Sequence, residues 1–496
     1  MIAHLDSPAQ AADWLQARVA GALTTDSRAV ESGDGFIAWP GAATDGRRYV
    51  NAALERGALA CLVERNGVTD FDFHGERIAS YTHLKKALGP IASCYFDTPS
   101  ERLAVVAVTG TNGKTSTTWL LAQALSRLGK RCGVVGTLGI GEPGAMLENG
   151  LTTPDPVRLH GQLRRFVDEG FSACAIEASS IGLVEHRLDT LSIRVAVFTN
   201  FTQDHLDFHG TLDDYWQAKR ALFNWPDLRA CVLNIDDPKG LVLDAELRSA
   251  GMDVWTVSIS GAARIRACHI TDRAAGIGFE IVEGDQAISV EMPMVGRYNI
   301  SNLLGAVAAM RALQIPLGDA VAACAGLAPV PGRMELLSAP SAPLVVIDYA
   351  HTPDALEKVL VALGPMAISR GGQIWCVFGC GGDRDRTKRP LMAAIAERHA
   401  DRVVLTSDNP RLEEPMAIIA DVKRGFRHAL AVRIDPDRAA AIAGAIGMAR
   451  EQDVVLLAGK GHESYQDLGG IRHVFSDRAE AEAALRAACV ADRSTR

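Results

Sequence analysis

The residues with the clearest chemical capacity lie in the run GTNGKTS. Its two glycines let the backbone turn tightly with N–H groups facing inward, Lys114 supplies a cation, and Thr115 supplies a hydroxyl of the kind that ligates Mg²⁺. Such a loop seats nucleotide phosphates, which predicts binding of a nucleoside triphosphate. The predicted binding residues are Gly110, Thr111, Asn112, Gly113, Lys114, Thr115 and Ser116.

The flanking segments must position this loop. The apolar, β-branched run Ala104–Val108 predicts a strand, and Leu121, Leu125 and Leu128 recur at helical spacing before Gly129, a suitable helix stop. The common phosphate-loop pattern has a glycine where Val108 stands, so the match is to a shorter loop. Strand, loop and helix in this order favour a phosphate site over a chance glycine-rich turn.

Composition restricts the class of protein. A chain of 496 residues is too long for one core, which predicts two to four domains. The net charge of −8 argues against a nucleic-acid surface. The sequence has no long apolar run and no basic, apolar start, so we expect neither a membrane span nor a signal peptide. Ten scattered cysteines indicate reduced, buried thiols and a cytoplasmic location, and Cys376 and Cys380 are predicted to pack in a core.

Strands and helices alternate along the chain, which is typical of parallel α/β sheets. The fold class predicted is α/β with three domains: a smaller N-terminal α/β domain (1–98), a central P-loop-type parallel-sheet domain (99–334) and a C-terminal Rossmann-like domain (335–496). The predicted strands are Gly35–Ala38, Ala58–Val63, Ala104–Val108, Cys132–Thr137, Ala173–Ala178, Val195–Asn200, Ala230–Asn234, Leu344–Asp348, Gln373–Phe378, Arg402–Thr406 and Asp453–Ala458.

Nearly every strand of the last two blocks ends in a polar loop, and parallel sheets bind ligands at these ends. Glu177 and His205 are candidates to hold Mg²⁺ together with Thr115. His205 and His209 also form an HxxxH pair, but no third ligand completes a zinc motif. Lys219, judged from YWQAKRAL alone, is predicted to be an ordinary surface lysine.

The last block carries groups suited to a charged amino acid. Asp348 and His351 are expected opposite the phosphate loop, and the turn Asp408–Arg411 presents an acid and a guanidinium. An Asp pairs with an ammonium, and an Arg binds a carboxylate through two hydrogen bonds. With Arg384 and Glu463, this turn predicts a receptor for a zwitterion that bears an additional carboxylate. A plain helix-capping turn would explain Asp408 and Asn409 but not Arg411.

From about residue 20 to 480 the chain resembles the ATP-dependent Mur ligases of peptidoglycan synthesis. The resemblance rests on GTNGKT, TNFTQDHLDFHG, GRYNISNLL, GRME, DYAHTPDAL and GKGHE. TTDSR, LTTPDP, GGDRD and DNPRLEEP are similar to the members that add meso-diaminopimelate. The resemblance implies ATP, Mg²⁺ and UDP-N-acetylmuramoyl-L-alanyl-D-glutamate as partners and an acyl-phosphate mechanism. The net charge and the lack of a long apolar run predict that the protein binds neither nucleic acid nor membrane, and a monomer is the default expectation.

The resemblance also implies roles for individual residues. Lys114, Glu177, His205 and Lys219 would be catalytic, and Lys219 matches a lysine that the family carbamylates to support its metal. The positions that match nucleotide contacts outside the loop are Asn302, Arg333, Asp348 and His351. Those that match the UDP-sugar peptide site are Thr25, Ser27, Ala42, Ala43, Thr44, Thr152, Thr153, Ser179, Glu185 and Arg187. Those that match the diaminopimelate pocket are Arg384, Asp408, Asn409, Pro410, Arg411, Gly459 and Glu463.

Two positions depart from the family pattern. Ile181 stands where related ligases often have histidine, and Glu185 where diaminopimelate-adding members often have glutamine. An anion at Glu185 is unfavourable near an anionic ligand unless a Lys or Arg neutralises it. The alternatives are a lysine-adding ligase, which has little use for Arg411, and a folylpolyglutamate synthetase, against which the TTDSR-containing block argues. From a different class, a non-catalytic nucleotide-gated binding protein would not need Lys114, Glu177, His205 and Lys219.

Overall fold

A computed structural model describes residues 2–41, 44–273 and 276–495. The chain divides into two compact units. The first contains the residues up to Thr109, Leu125–Val197 and Gln217–Cys231, and the second contains Gly110–Ala124, Phe198–Trp216 and the residues from Val232 onward. Among the described residues, no helix has the length and apolar character required to cross a bilayer.

The N-terminal part of the first unit is a parallel sheet of five strands in the order β1-β5-β4-β3-β2. Glu64, at the end of β4, accepts hydrogen bonds from the backbone N–H groups of His83 (3.1 Å) and Leu84 (2.7 Å), so it caps the helix α3. The elements are β1 (Ala3–Leu5), α1 (Pro8–Gln16), β2 (Leu23–Thr24), β3 (Gly35–Ala38), α2 (Val50–Glu55), β4 (Ala60–Glu64), β5 (Ile78–Tyr81) and α3 (Leu84–Tyr95).

The middle of the chain begins with the predicted strand–loop–helix. The helix α4 ends as expected, because Gly129 takes a left-handed conformation (φ 73°) and the next N–H, of Lys130, donates to the Leu125 carbonyl. The elements are β6 (Ala104–Thr109), α4 (Lys114–Arg127), β7 (Cys132–Gly136), β8 (Gly139–Glu142), β9 (Ala145–Leu147), α5 (Pro156–Asp168), β10 (Ala173–Glu177), α6 (Ser180–Val184), β11 (Ile193–Phe198), α7 (Leu206–His209), α8 (Leu212–Arg220) and β12 (Ala230–Asn234).

In the first unit these strands follow the order β11-β6-β10-β7-β8-β9. Strand β10 pairs in parallel with both β6 and β7, as the predicted α/β class requires. The strands β8 and β9 pair antiparallel beyond β7 and were not predicted. Strand β8 is glycine-rich, with φ values of 118° and 149° at Gly139 and Gly141, and β9 has only three residues, so neither strand has the apolar alternation that marks a strand in sequence.

The second unit also contains strands that were not predicted. The strands β14, β15 and β16 form an antiparallel meander, which departs from the parallel arrangement expected for this block. Strands β15 and β16 meet at the two-residue turn 284–285, because Glu283 pairs with Gln286, rather than at a loop with reactive side chains. The elements are α9 (Pro238–Ser249), β13 (Asp253–Ser258), β14 (Ile265–Arg273), β15 (Gly276–Glu283), β16 (Gln286–Met292), α10 (Arg297–Ala312) and α11 (Leu317–Cys324).

The C-terminal sheet has the order β17-β18-β22-β19-β20-β21, parallel except for the edge strand β17. Apolar clusters cover both faces, as in Rossmann-like folds. The elements are β17 (Glu335–Leu337), β18 (Leu344–Asp348), α12 (Pro353–Arg370), β19 (Ile374–Phe378), α13 (Lys388–His399), β20 (Arg402–Leu405), α14 (Pro415–Lys423), β21 (Arg433–Ile434), α15 (Arg438–Met448), β22 (Val454–Ala458), β23 (Tyr465–Leu468), β24 (Ile471–Val474) and α16 (Asp477–Thr495).

All predicted strands are present, with ends that differ by no more than two residues. The three large sheets, in the N-terminal, middle and C-terminal parts of the chain, confirm the α/β class with three domains. The boundaries 1–98, 99–334 and 335–496 stay a prediction. The nine described cysteines are free thiols, and most are buried, with Cys94 exposed and Cys268 partly so. Cys376 and Cys380 lie in the C-terminal core, where burial raises the pKa of each thiol to about 12.

Candidate functional site

The phosphate loop, residues 110–116, lies in the second unit and has the backbone its glycines were expected to allow. Gly110 and Gly113 have φ values of 146° and 86°. A Cβ at Gly110 would lie 1.9 Å from Thr199 Oγ1, and one at Gly113 would lie 2.3 Å from Asn302 Oδ1. Both positions therefore require glycine for conformation and for space. The second contact also places the predicted nucleotide residue Asn302 against the loop.

Hydrogen bonds from the segment that follows β11 hold the loop in this shape. Thr199 Oγ1 and Asn200 Nδ2 donate to the Asn112 carbonyl at 2.6 and 3.0 Å, and Asn112 N donates to Asn200 Oδ1 at 2.9 Å. Lys114 Nζ donates to the carbonyls of Gly110 and Thr111, both at 2.9 Å. The cation therefore lies beside the backbone that is predicted to bind phosphate.

Two side chains that flank strand β18 contact the loop directly. Arg333 Nη2 donates to Thr115 Oγ1 at 3.3 Å, and its guanidinium carbon lies 4.5 Å from the centre of the Tyr349 ring. Asn112 Nδ2 donates to Asp354 Oδ2 at 3.0 Å. The expected proximity of this block to the phosphate loop is present within the second unit. Asp354 was not predicted as a site residue, although it belongs to the DYAHTPD motif.

Asp348, at the end of β18, is buried and accepts a hydrogen bond from the Met334 N–H at 2.8 Å. Burial raises the pKa of its carboxyl to about 6, against the opposing effect of the Arg333 charge. The carboxyl thus fixes the backbone one residue beyond Arg333. It orients the arginine rather than contacting the loop itself.

His351 belongs to a cluster around a buried carboxylate, Asp204. His205 Nε2 lies 3.5 Å and His351 Nε2 lies 3.9 Å from Asp204 Oδ2. Burial alone would raise the pKa of Asp204, but the charges of His205, Lys388 and His351 hold it well below its usual range. Burial, together with Lys388, lowers the pKa of His351 to about 4. At neutral pH the cluster therefore contains an ionised Asp204 beside a neutral His351.

The turn after β20 joins the loop after β22 in a polar pocket. Asp408 and Asn409 are buried, and Asn409 Nδ2 donates to Glu463 Oε2 at 2.8 Å. A Cβ at Gly459 would lie 2.3 Å from Asp408 Oδ2. Burial and the neighbouring Asp408 raise the pKa of Glu463. Four of the predicted amino-acid-binding residues are thus brought together.

Lys460 is a member of this pocket that the sequence reasoning missed. Its side chain is fully buried, and Nζ donates to Asn409 Oδ1 at 2.9 Å and to Glu463 Oε2 at 2.8 Å. The signal in the sequence was the Gly-Lys pair in AGKGHE, which directly follows a buried strand. Its ammonium offsets part of the negative charge of Asp408 and Glu463.

The two arginines predicted for this pocket differ in their surroundings. Arg411 has a left-handed backbone (φ 54°), and its Nη1 donates to the Gly382 carbonyl at 2.6 Å. Pro410, before it, packs its carbonyl so closely that a Cβ at Gly382 would lie 1.9 Å away. Arg384 is exposed and donates to the Asp383 carbonyl at 3.2 Å. The DNPR turn is therefore held by the neighbouring loop and does not cap a helix.

In the first unit, predicted UDP-sugar residues surround Glu177. Its carboxylate accepts hydrogen bonds from Thr137 N (2.8 Å) and Thr137 Oγ1 (3.1 Å), and Thr137 Oγ1 lies 3.1 Å from Thr152 Oγ1. Thr153 Oγ1 donates to the Glu177 carbonyl at 2.7 Å and lies 2.9 Å from Ser179 Oγ. Arg187 Nη1 donates to the Thr153 carbonyl at 2.9 Å. The structure thus assembles Thr152, Thr153, Glu177, Ser179 and Arg187.

Glu185 has a cationic partner. Lys85 Nζ lies 2.6 Å from Glu185 Oε2, and both side chains are partly exposed. Lys85 thus supplies the positive charge that we expected beside a glutamate at this position.

The remaining residues predicted to bind the UDP-sugar lie in the N-terminal part of the chain. Thr25 and Ser27 flank Asp26, which pairs with Arg28 at 2.8 Å, and Thr44 Oγ1 lies 3.5 Å from Tyr49 OH. Ala42 and Ala43 lie outside the described residues.

Lys219 is buried, with 1% of its surface exposed, so the prediction of an ordinary surface lysine was wrong. The side chain lies on the inward face of α8, which the local sequence does not reveal, because LDDYWQAKR mixes charged and aromatic residues. Among the described residues, no group of three or more His, Cys, Asp and Glu side chains is arranged to hold a metal ion. The proposed magnesium set instead includes a hydroxyl, that of Thr115.

Three stretches of the chain match known families. Residues 21–95 match the Mur ligase family catalytic domain, residues 108–310 the Mur ligase middle domain, and residues 332–461 the Mur ligase glutamate ligase domain. The UDP-N-acetylmuramoyl-L-alanyl-D-glutamate–2,6-diaminopimelate ligase of Acidovorax sp. (strain JS42) is 57% identical over 483 residues, which is 96% of each chain.

The ligase of the same name from Pseudomonas aeruginosa is 47% identical over 94% of this chain and 95% of its own. A solved structure of a ligase with this name is 35% identical, covers 94% of each chain and superposes with a TM-score of 0.62. These similarities extend over nearly the whole sequence. The chain belongs to the Mur ligase family.

Proposed function

We propose that this chain is an ATP-dependent amide ligase that adds meso-2,6-diaminopimelate to UDP-N-acetylmuramoyl-L-alanyl-D-glutamate. The names of the two relatives described above support this substrate pair. The observation that carries the proposal is the contact of the phosphate loop with the block that bears the DNPR turn, through Arg333 to Thr115 (3.3 Å) and Asp354 to Asn112 (3.0 Å). A ligase needs this proximity because the activated acid and the amine must meet.

The reaction proceeds in two displacements. The γ-carboxylate of D-glutamate attacks the γ-phosphorus of ATP, forming an acyl phosphate and releasing ADP. The amine of diaminopimelate then attacks the acyl carbon, and inorganic phosphate leaves as the amide forms. Lys114, Arg333 and the N–H groups of the loop stabilise charge on the transferring phosphoryl group, which is mostly an electrostatic task.

The proposed magnesium ligands are Thr115, Glu177 and His205. Mg²⁺ held by these residues would supply positive charge to neutralise the phosphate oxygens. Lys219 is buried, and its ammonium group is proposed to be carbamylated, as the resemblance to the family implies. Carbamylation replaces that ammonium with an anion suited to a nearby cation. His351, neutral at pH 7, and Asn302 are proposed to contact the nucleotide.

The pocket formed by Asp408, Asn409, Gly459 and Glu463 is proposed to bind an ammonium group of diaminopimelate, because its acids pair with a cation. Arg411 and Arg384 would bind a carboxylate, because guanidinium–carboxylate pairing is bidentate and strong. Lysine lacks the second carboxylate and so makes less use of Arg411. The UDP-sugar peptide is proposed to bind Thr152, Thr153, Ser179 and Arg187, together with Thr25, Ser27 and Ala42–Thr44.

We also propose that the protein acts in the cytoplasm as a monomer. Its free cysteines are consistent with a reducing compartment. One assay distinguishes the proposed ligase from the non-catalytic binding protein and from the lysine-adding ligase. The purified protein receives ATP, Mg²⁺ and UDP-N-acetylmuramoyl-L-alanyl-D-glutamate, and phosphate release is compared with meso-diaminopimelate and with L-lysine. We expect release that depends on diaminopimelate. Equal turnover with lysine would refute the substrate, and absence of amine-dependent release would refute the ligase.

A further inference from the structure

Glu413, two residues beyond Arg411, links the DNPR turn to the loop that follows β19. Its Oε1 accepts hydrogen bonds from the Asp383 N–H (2.7 Å) and from Arg389 Nη2 (2.8 Å). Its Oε2 accepts from Arg389 Nη1 (3.1 Å) and lies 3.0 Å from Arg386 Nη2. We call Glu413, Arg389, Arg386 and Asp383 the Glu413 clamp. Both carboxylate oxygens are thus contacted by donors from the first turn of α13 or the loop before it.

Arg389 anchors the clamp through its burial and its hydrogen bonds. Arg389 is fully buried, and it also donates to Asp421 Oδ2 at 2.9 Å and to the Gly381 carbonyl at 3.3 Å. The hydrogen bond from Arg389 is the main reason that the pKa of Glu413 falls to about 2. The glutamate is therefore ionised throughout the physiological range. A buried guanidinium of this kind is costly unless its carboxylate partners stay in place.

The clamp continues into the backbone that carries Arg411. Asp383 Oδ2 accepts a hydrogen bond from Leu412 N at 3.1 Å, so the two loops are joined in both directions. Gly382 N donates to the Asn409 carbonyl at 3.0 Å, and Arg411 Nη1 donates to the Gly382 carbonyl at 2.6 Å. Arg411 has a left-handed backbone, which costs free energy for a residue other than glycine unless its surroundings enforce it.

We propose that Glu413 is a positioning residue that fixes Arg411 for the second carboxylate of the incoming amino acid, and so sets the preference for diaminopimelate over lysine. This inference rests on the proposed function. Glu413 reaches the substrate only through Arg411. The specificity of the pocket thus depends on the Glu413 carboxylate. Arg386 and Arg389 neutralise this carboxylate, so it does not repel a carboxylate of the substrate.

The test compares Glu413→Gln with Glu414→Gln. Glu414 is the exposed neighbour and makes no side-chain cap hydrogen bond to α14, so it is a matched control. For Glu413→Gln we expect the ratio of kcat/KM for meso-diaminopimelate to that for L-lysine to fall at least tenfold, while KM for ATP changes less than twofold. Arg389→Lys, which keeps the charge but not the bidentate geometry, should shift the ratio in the same direction.

Hydrogen–deuterium exchange reports on the clamp without using activity. Peptides that cover residues 380–389 and 408–416 should exchange faster in Glu413→Gln and at the wild-type rate in Glu414→Gln. Faster exchange with an unchanged ratio of the two kcat/KM values would overturn the positioning role. An equal increase in KM for ATP and for diaminopimelate would overturn it as well. A wild-type enzyme that adds no diaminopimelate would instead refute the proposed function, so the two failures are distinguishable.

Discussion

Arg333 donates a hydrogen bond from Nη2 to the hydroxyl of Thr115, the residue next to the phosphate-loop lysine, at 3.3 Å. Arg333 stacks on Tyr349 (4.5 Å), and the adjacent Met334 N–H is fixed by Asp348. The guanidinium is thus held at the loop from outside it. This arrangement places a permanent positive charge where the proposed reaction develops negative charge.

Replacement of Arg333 by Met should therefore lower kcat/KM for ATP by about 100-fold, the usual cost of losing one preorganised donor to a transition state. Steady-state phosphate release at varied ATP concentration measures this. Arg402→Met, at an exposed position, serves as the control. If the two variants had similar kcat/KM values, Arg333 would not act on the phosphate.

Arg411→Ala should reduce kcat/KM for meso-diaminopimelate by about 10- to 100-fold, the range expected when a charge-assisted hydrogen bond is lost. KM for ATP should stay near the wild-type value. Turnover with L-lysine, which lacks the second carboxylate, should change little. An unchanged preference between the two amines would show that the DNPR turn has a purely structural role.

Lys219→Ala should abolish activity, because the buried side chain is proposed to carry the carbamate. Added acetate or formate should restore part of the phosphate release by supplying a carboxylate in the vacated space. Lys219→Met fills that space and should be inactive without rescue. Rescue of both variants, or of neither, would count against a carbamate at this position, provided that melting temperatures show both proteins folded.

Asp348 should give the unfolding free energy a specific pH dependence. Burial raises its pKa from 3.8 to about 6, so between these values the folded state retains a proton that the unfolded state has lost. This contribution is favourable at low pH and is lost as pH rises to about 6. The stability of Asp348→Asn relative to wild type should accordingly increase from pH 4 to pH 6 and then level off. Urea denaturation at several pH values tests this, and a constant difference would contradict the raised pKa.

The Lys85–Glu185 ion pair should affect KM for the UDP-dipeptide and not KM for the other substrates. Lys85→Met leaves an uncompensated anion near the proposed substrate site and should raise KM for UDP-N-acetylmuramoyl-L-alanyl-D-glutamate about two- to fivefold, a modest effect because the pair is partly exposed. The double variant Lys85→Met, Glu185→Gln should restore KM. A double variant as poor as Lys85→Met would mean that the lysine acts independently of Glu185.

The sequence by itself determined the local features of this protein. Glycines at 110 and 113 encode a phosphate loop because the required φ values and the absence of a Cβ are properties of single residues. The buried parallel strands were found because apolar, β-branched runs are needed wherever both faces of a sheet are covered. The DNPR turn was recognised because a guanidinium beside an acid has few uses in a plain turn.

Only the tertiary structure decided which distant residues share an environment. Asn112 and Asp354 are 242 positions apart, and no local pattern connects them. The burial of Lys219, the ammonium of Lys460 between Asn409 and Glu463, and the lysine beside Glu185 were also unknown from sequence. The physical reason is that burial and the charge of a partner, which set ionisation and orientation, arise from the packing of segments far apart in the chain.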